Sequence, residues 1–129
     1  MIQLSPELNN ARLLAVVDFL ALGTTNGSVS LYEGPRPALG GTPPAEPLAT
    51  IPLVEPVGTV SAGVLTLTAA PEVMVLRTGV AAWARFVNGD GALAFDCDVS
   101  DMAGSGEIKL PDTVMYAGGY TRLVAGTLG

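Results

Sequence analysis

Apolar residues near the start of the chain recur at helical spacing, three or four positions apart. These residues are Leu13, Val16, Val17 and Leu20. Ser5 suits the N-cap position, Pro6 suits the first helical position because its missing N–H is not needed there, and Gly23 suits the end of the helix. The pattern therefore predicts one N-terminal α-helix over residues 5–22.

Further apolar residues lie on the other faces of this predicted helix. They are Leu8, Leu14, Ala15, Phe19 and Leu22. One apolar face is explained by packing on a sheet of the same domain. Whether a second face is covered by a neighbouring subunit stays open from the sequence.

After Gly23 the helical pattern gives way to short β-type segments separated by turn residues. We predict strands over residues 28–33, 48–53, 64–69, 73–76, 80–87, 92–99, 107–110, 114–116 and 120–125. This even spacing is typical of an antiparallel β-sandwich or barrel, and we expect a mainly β, jelly-roll-like fold in a single domain over residues 1–129. The Gly-rich tail over 126–129 is expected to be frayed.

The clearest local element is a hairpin whose turn lies in residues 88–91 (NGDG), which accept positive φ. Alternation places Val80, Ala82, Ala84, Phe86, Leu93, Phe95, Cys97 and Val99 on one face, predicted to be the core. The opposite face carries Trp83 and Arg85 close to Asp96 and Asp98, at a distance that allows a cross-strand ion pair. Trp83 is then either covered by another element of the same domain, such as the N-terminal helix, or an anchor in an interface.

Seven of the ten prolines fall between residues 34 and 58. Proline lacks the N–H that a central strand needs, so this segment is expected to be an extended arm or crossing loop, or an edge strand. Leu39, Leu48, Ile51 and Leu53 would supply its apolar contacts. The predicted interface residues of the whole chain are Trp83, Arg85, Leu39, Leu48, Ile51, Leu53 and Phe19.

The composition favours assembly with other subunits. Hydrophobic residues make up 49% of the chain and charged residues 14%, which is more apolar surface than a small isolated domain needs. The net charge of −6 opposes direct binding of nucleic acid, which depends on clustered Lys and Arg. The apolar stretch near the start is interrupted by Arg12 and Asp18 and has no positively charged leader, so we expect no membrane segment, no signal peptide and synthesis in the cytoplasm.

We predict no enzymatic activity, no cofactor and no metal site. Histidine is absent, and Lys109, the only lysine, is not part of any recognisable serine motif. Cys97, the only cysteine, is predicted to be a small core residue. Asp96 and Asp98 could offer oxygen ligands to a cation, but a solvated strand face balanced by arginine is the favoured interpretation.

The order of these features resembles a group of small structural proteins from the virions of tailed bacteriophages. After the Leu/Ala-rich helix, the resemblance rests on residues 27–37 (GSVSLYEGPRP), 48–53 (LATIPL), 58–66 (GTVSAGVLT) and 79–86 (GVAAWARF). It implies a minor capsid, cement or decoration protein, located on the capsid surface and assembled as a trimer or dimer. The implied partner is the major capsid protein.

Two alternatives stay open at this point. One is a tail or head–tail connector component of the same kind of particle. The other is a β-sandwich adhesin or glycan-binding module, in which exposed aromatic residues such as Tyr116 and Tyr120 would contact a sugar.

Overall fold

The computed structural model describes residues 2–128, which form one helix and a series of short strands. Helix α1 spans Pro6–Leu20. The strands are β1 Ser28–Tyr32, β2 Ala49–Pro52, β3 Gly58–Ser61, β4 Val64–Leu67, β5 Val73–Met74, β6 Gly79–Val80, β7 Trp83–Val87, β8 Leu93–Ser100, β9 Ile108–Lys109, β10 Val114–Met115, β11 Tyr120–Thr121 and β12 Ala125–Leu128.

The strands form a curled eight-stranded sheet with the order β2-β1-β7-β8-β9-β12-β4-β3. Neighbouring strands in it are antiparallel except β8 and β9, which pair in parallel. Two short ribbons, β10–β6 and β11–β5, stand beside it. The structure thus confirms a mainly β fold of the sandwich or barrel type with one N-terminal helix.

Helix α1 begins and packs as its sequence predicts. The Ser5 side chain accepts a hydrogen bond from the Leu8 N–H at 3.1 Å, Pro6 opens the first turn, and the helix closes on Ala21. Leu13 and Leu20 are fully buried against the sheet, where α1 contacts β3, β4 and β8. Gly23 follows with φ +112° and passes so close to the backbone of Gly89 that a Cβ would collide with it.

Two asparagines of α1 hold the β3–β4 turn. Asn9 Nδ2 donates to the Gly63 carbonyl at 3.3 Å, and Asn10 Oδ1 accepts the Gly63 N–H at 2.9 Å. Ala62 and Gly63 both have positive φ, as a two-residue hairpin turn requires. The helix is therefore attached to the sheet by hydrogen bonds as well as by its buried leucines.

The proline-rich segment predicted over 34–58 is not one continuous arm. It contains β2, and β3 starts at its last residue. Pro52 lies in β2, at one edge of the large sheet, where the missing N–H costs no ladder hydrogen bond.

The tail over 126–129 was expected to be frayed, and this expectation is wrong for residues 126–128, while Gly129 lies outside the described residues. Ala125–Leu128 forms β12, which pairs with β9 on one side and β4 on the other. Gly126 is buried there, and a Cβ on it would lie 2.8 Å from the side-chain ends of Ile108 and Leu67, which would have to shift. Small residues in this tail thus allow close packing inside the sheet.

The predicted faces of the long hairpin are confirmed in its middle and differ at both ends. Ala84 faces Cys97, and Phe86 faces Phe95 with stacked rings 4.5 Å apart. Beyond Phe86 a β-bulge shifts the register, so Leu93 pairs with Val87 and is partly exposed instead of lying in the core.

At the other end, the predicted strand over 80–87 is divided into β6 and β7. Val80 and Ala82, both predicted in the core, are exposed, whereas Ala81 is buried. The Ala82 N–H bonds to the Tyr32 carbonyl, while its own carbonyl accepts from Val99 on the other side. This irregularity breaks the alternation that the sequence suggested.

Candidate functional site

The outer face of the β7–β8 hairpin carries an aromatic and charged layer. The Trp83 indole stacks on Tyr32 of the neighbouring strand, with ring centroids 4.5 Å apart. The guanidinium carbon of Arg85 lies 5.4 Å from the centre of the same indole. Trp83 is only 1% exposed, and its Nε1 has no hydrogen-bond partner among the described residues.

Arg85 and Asp96 form a bidentate ion pair across the two strands. Arg85 Nε and Nη2 donate to the two carboxylate oxygens of Asp96 at 2.8 and 3.0 Å. The side chains are 13% and 4% exposed, so the pair is largely removed from water. These hydrogen bonds raise the pKa of Arg85, and burial opposes them. The predicted cross-strand pair between Arg85 and Asp96 or Asp98 is therefore confirmed with Asp96.

The segment between β1 and β2, residues 33–48, is closed at its base by Arg77. The Arg77 guanidinium donates to Glu33 Oε1 at 2.9 Å and also to the carbonyl of Glu46. One arginine thereby joins the two ends of the segment. The role of Arg77 could not be predicted from the sequence, because nothing in its local pattern indicates which loop it contacts.

The same segment touches the outer face of the hairpin. Arg36 Nη1 lies 3.4 Å from Asp98 Oδ1, and a Cβ on Gly40 would lie 3.6 Å from the Leu93 side chain. Asp98 is the cross-strand partner of Trp83. We infer that this proline-rich segment covers the aromatic and charged layer, which explains its extended path and its fixed base.

The structure separates the predicted interface residues into two groups. Leu48, Ile51 and Leu53 are core residues, and Trp83 and Arg85 are enclosed within the chain. In this structure these five side chains offer a partner almost none of their surface, so the alternative in which Trp83 is covered within its own domain is favoured. Leu39 is 69% exposed in the segment between β1 and β2, and Phe19 is partly exposed on α1.

The exposed apolar surface of α1 is the larger candidate for contact with a partner. Leu8, Leu14 and Leu22 each expose about half of their side chain, and Ala11 and Ala15 are also exposed on the outer side. We call these five residues the outer surface of α1. Exposed Asp18 lies between Leu14 and Leu22 on the same side, so the surface is mainly but not wholly apolar. Exposed apolar surface of this kind commonly marks a site of protein contact.

The acidic residues that could have bound a cation are engaged separately. Asp96 pairs with Arg85, Asp98 lies near Arg36, and Asp101 Oδ1 accepts the N–H groups of Ala103 and Gly104. Within residues 2–128, no group of three or more Asp, Glu or Cys side chains is gathered in a position to hold a metal ion.

Lys109 and Cys97, the lysine and the cysteine considered for catalysis, are held in place by hydrogen bonds and by burial, respectively. Lys109 Nζ donates to Ser100 Oγ at 3.2 Å and to the Gly104 carbonyl, while Ser100 Oγ donates to the Asp101 carbonyl. A serine nucleophile would instead transfer its proton to the lysine. Cys97 is buried, and burial, which acts most strongly, raises the pKa of its thiol to about 12.

Tyr116 and Tyr120 border one small pocket of about 120 Å³. Both rings are mostly exposed, and Asp112 also lines the pocket. The pocket offers two aromatic faces and one carboxylate to a ligand.

Comparisons with known proteins leave the family open: no family model, no curated protein and no solved structure matches this chain. In the part of the chain that the structure describes, no helix has the length and apolar character needed to span a membrane.

Proposed function

We propose that this protein is a structural protein of a tailed-bacteriophage virion, acting as a capsid cement or decoration protein on the outside of the shell. Its role is to bury apolar surface against copies of itself and against the major capsid protein. No catalytic step, cofactor or nucleic-acid contact belongs to this role.

The observation that carries the proposal is the outer surface of α1. Leu8, Leu14 and Leu22 stay half-exposed although the helix has already packed its inner leucines on the sheet. Burial of one such side chain contributes about 1.5–3 kcal/mol when it passes fully from water to a protein contact. Repeated at many equivalent positions on a shell, modest contacts of this kind add up through avidity.

Two further features support a location on the outside of a particle. The net charge of −6 suits a surface that does not contact packaged nucleic acid. The sequence resemblance described above points to the same class of protein. A tail or connector location would use the same apolar surface, so the position in the particle needs a direct experiment.

Electron microscopy and mass spectrometry of particles that contain this protein provide that experiment. We expect many copies per head, arranged with the symmetry of the shell, and we expect heads without the protein to release DNA at lower temperature. Copies confined to the tail or neck would instead identify a tail or connector component. Heads of equal heat resistance with and without the protein would contradict the cement role.

A glycan-binding module is a second candidate, favoured by the two exposed tyrosines beside the 120 Å³ pocket. Sugars bind through stacking on aromatic faces and hydrogen bonds to carboxylates. Binding on a glycan array that is lost in Tyr116→Ala and Tyr120→Ala, but retained in Tyr32→Phe, would favour this module over the structural role.

A further inference from the structure

Strand β8 has an open edge along its first half. On one side it pairs with β7 over most of its length, but on the other side its partner β9 reaches only Val99 and Ser100. The Ser100 carbonyl accepts the Leu110 N–H on that side. Because backbone groups alternate along a strand, Asp98 and Asp96 direct their N–H and C=O groups to the same side. Within the described residues, no strand lies beside Asp96 there.

An apolar cleft of about 300 Å³ lies at this open edge. Apolar residues make up most of its walls, and Asp96, Glu107 and Thr127 are the polar ones. The lining residues are Val16 of α1, Leu65 and Leu67 of β4, Ala94, Phe95, Asp96 and Cys97 of β8, Glu107, Ile108 of β9, and Thr127 and Leu128 of β12. A second cleft of similar size continues from Ala94 and Phe95 toward Ala15 and Phe19. The combination of apolar walls and an unpaired strand edge fits an extended segment with apolar side chains.

The chain itself carries such a segment before α1. Ile2 and Leu4 alternate with Gln3 in a non-helical stretch, and they are 87% and 46% exposed. We call residues 2–5 the N-terminal arm. Alternating apolar residues place both side chains on one side of an extended chain, as insertion into a cleft beside a strand requires.

The arm does not lie near the cleft of its own chain. Leu4 borders a separate pocket with Pro6, Asn9, Ala62 and Gly63, at the β3–β4 turn. The cleft begins at Val16, ten residues further along α1, and a helix rises about 15 Å over that distance. In this structure the arm therefore lies away from the cleft of its own chain, and the cleft is open to the arm of a second molecule.

We propose that the cleft at the open edge of β8 binds the N-terminal arm of a second copy of this chain. Ile2 and Leu4 of that copy fill the apolar cleft, and its backbone hydrogen-bonds to the edge at Asp96. Reciprocal exchange between two copies buries both arms and both clefts. The role of this exchange on a capsid rests on the proposed function. The self-association itself does not, because it can be measured without capsids.

Sedimentation velocity of the full chain over a range of concentrations tests the proposal. We expect self-association that weakens by at least about tenfold in Ile2→Asp/Leu4→Asp, since each buried aliphatic side chain accounts for roughly a factor of ten or more. Ala94→Asp, which puts a charge into the cleft, should weaken association similarly. Leu39→Asp and Ala92→Asp, at exposed positions outside the cleft, are the matched controls and should associate normally.

A mixing experiment identifies the contact directly. Leu4→Cys and Ala94→Cys are purified separately, mixed under mild oxidation and separated without reductant. A mixed disulfide-linked dimer is expected, whereas Leu39→Cys mixed with Ala94→Cys should give at least about tenfold less, because a disulfide requires Cα atoms within roughly 7 Å. All of these variants also carry Cys97→Ser, because Cys97 lines the same cleft and could otherwise react with the arm.

Three results would overturn the arm exchange. A chain that stays monomeric at all concentrations would exclude the exchange. If Ile2→Asp/Leu4→Asp associates as strongly as the control variants, the arm takes no part in the contact. Association lost in Leu8→Gln/Leu14→Gln but kept in Ile2→Asp/Leu4→Asp assigns the contact to the outer surface of α1. In that last case the cement proposal survives while the arm exchange fails, so the two failures are distinguishable.

Discussion

The outer face of the β7–β8 hairpin and the outer surface of α1 reverse the usual relation between polarity and burial. The hairpin face contains an arginine, an aspartate and a tryptophan, yet all three are enclosed. The helix surface contains leucines and alanines, yet it faces water. In this molecule, therefore, residue type alone does not indicate which surface is available to a partner.

The difference follows from which elements have a covering segment. The proline-rich segment meets the hairpin through Arg36 and Gly40, and Arg77 closes its base through Glu33 and Glu46. Helix α1 covers the sheet with its inner side, and no described element lies over Leu8 or Leu14. We infer that the segment shields the ion pair inside the chain, while the helix leaves apolar surface for contacts outside it.

The largest effect is expected from removing one partner of the enclosed ion pair. Asp96→Ala leaves the Arg85 guanidinium buried without its bidentate acceptor, and we expect the free energy of unfolding to fall by about 3–5 kcal/mol. Urea denaturation followed by tryptophan fluorescence measures this change, because Trp83 lies beside the pair.

A double replacement serves as the control for that prediction. Arg85→Met/Asp96→Leu keeps the volume of the pair and removes both charges, so its stability should stay close to that of the original chain. If the single and double variants lose the same stability, the hairpin face depends on packing alone and the contrast with α1 becomes weaker.

A smaller effect is expected at the base of the covering segment. Arg77→Ala removes hydrogen bonds to Glu33 and to the Glu46 carbonyl, at a cost of about 1–2 kcal/mol. Limited proteolysis should then cut within residues 34–47 faster than in the original chain, because the segment is no longer closed. Arg122→Ala, at an exposed arginine elsewhere, is the control and should leave the cleavage rate unchanged.

The attachment of α1 gives a further, slightly smaller test. Asn10→Ala leaves the Gly63 N–H without its acceptor and should reduce the free energy of unfolding by about 1 kcal/mol. Asn26→Ala, whose side chain bonds the Leu53 carbonyl away from α1, should leave hydrogen exchange in α1 unchanged. If hydrogen exchange of the α1 amides is faster in Asn10→Ala but not in Asn26→Ala, the hydrogen bond between Asn10 and Gly63 holds the helix on the sheet.

Much of the fold could be predicted because its determinants are local. Ser5, Pro6 and the leucine spacing define α1, and alternation around the 88–91 turn defines the pairing of Phe86 with Phe95. The sequence could not reveal the fate of the tail, because β12 is stabilised by β4 and β9, which are distant in the chain.

The candidate site was harder to predict than the fold for a similar reason. Trp83 was correctly placed opposite the core, but its burial depends on residues that are distant in the sequence, such as Tyr32. The strand predicted over 48–53 is present as the edge strand β2, yet the sequence did not show that Leu48, Ile51 and Leu53 point into the core of the same chain. Long-range contacts of this kind leave no periodic pattern in the sequence.

The smallest effect on stability is expected at the outer surface of α1. Leu8→Gln/Leu14→Gln changes residues that are already half in water, so the free energy of unfolding should change by no more than about 0.5 kcal/mol for each. Binding to phage heads that lack the protein should nevertheless be lost in a co-sedimentation assay, because the apolar contact is removed. Loss of stability comparable to that of Asp96→Ala would mean that this surface is covered within the chain, and the contrast between the two regions would then fail.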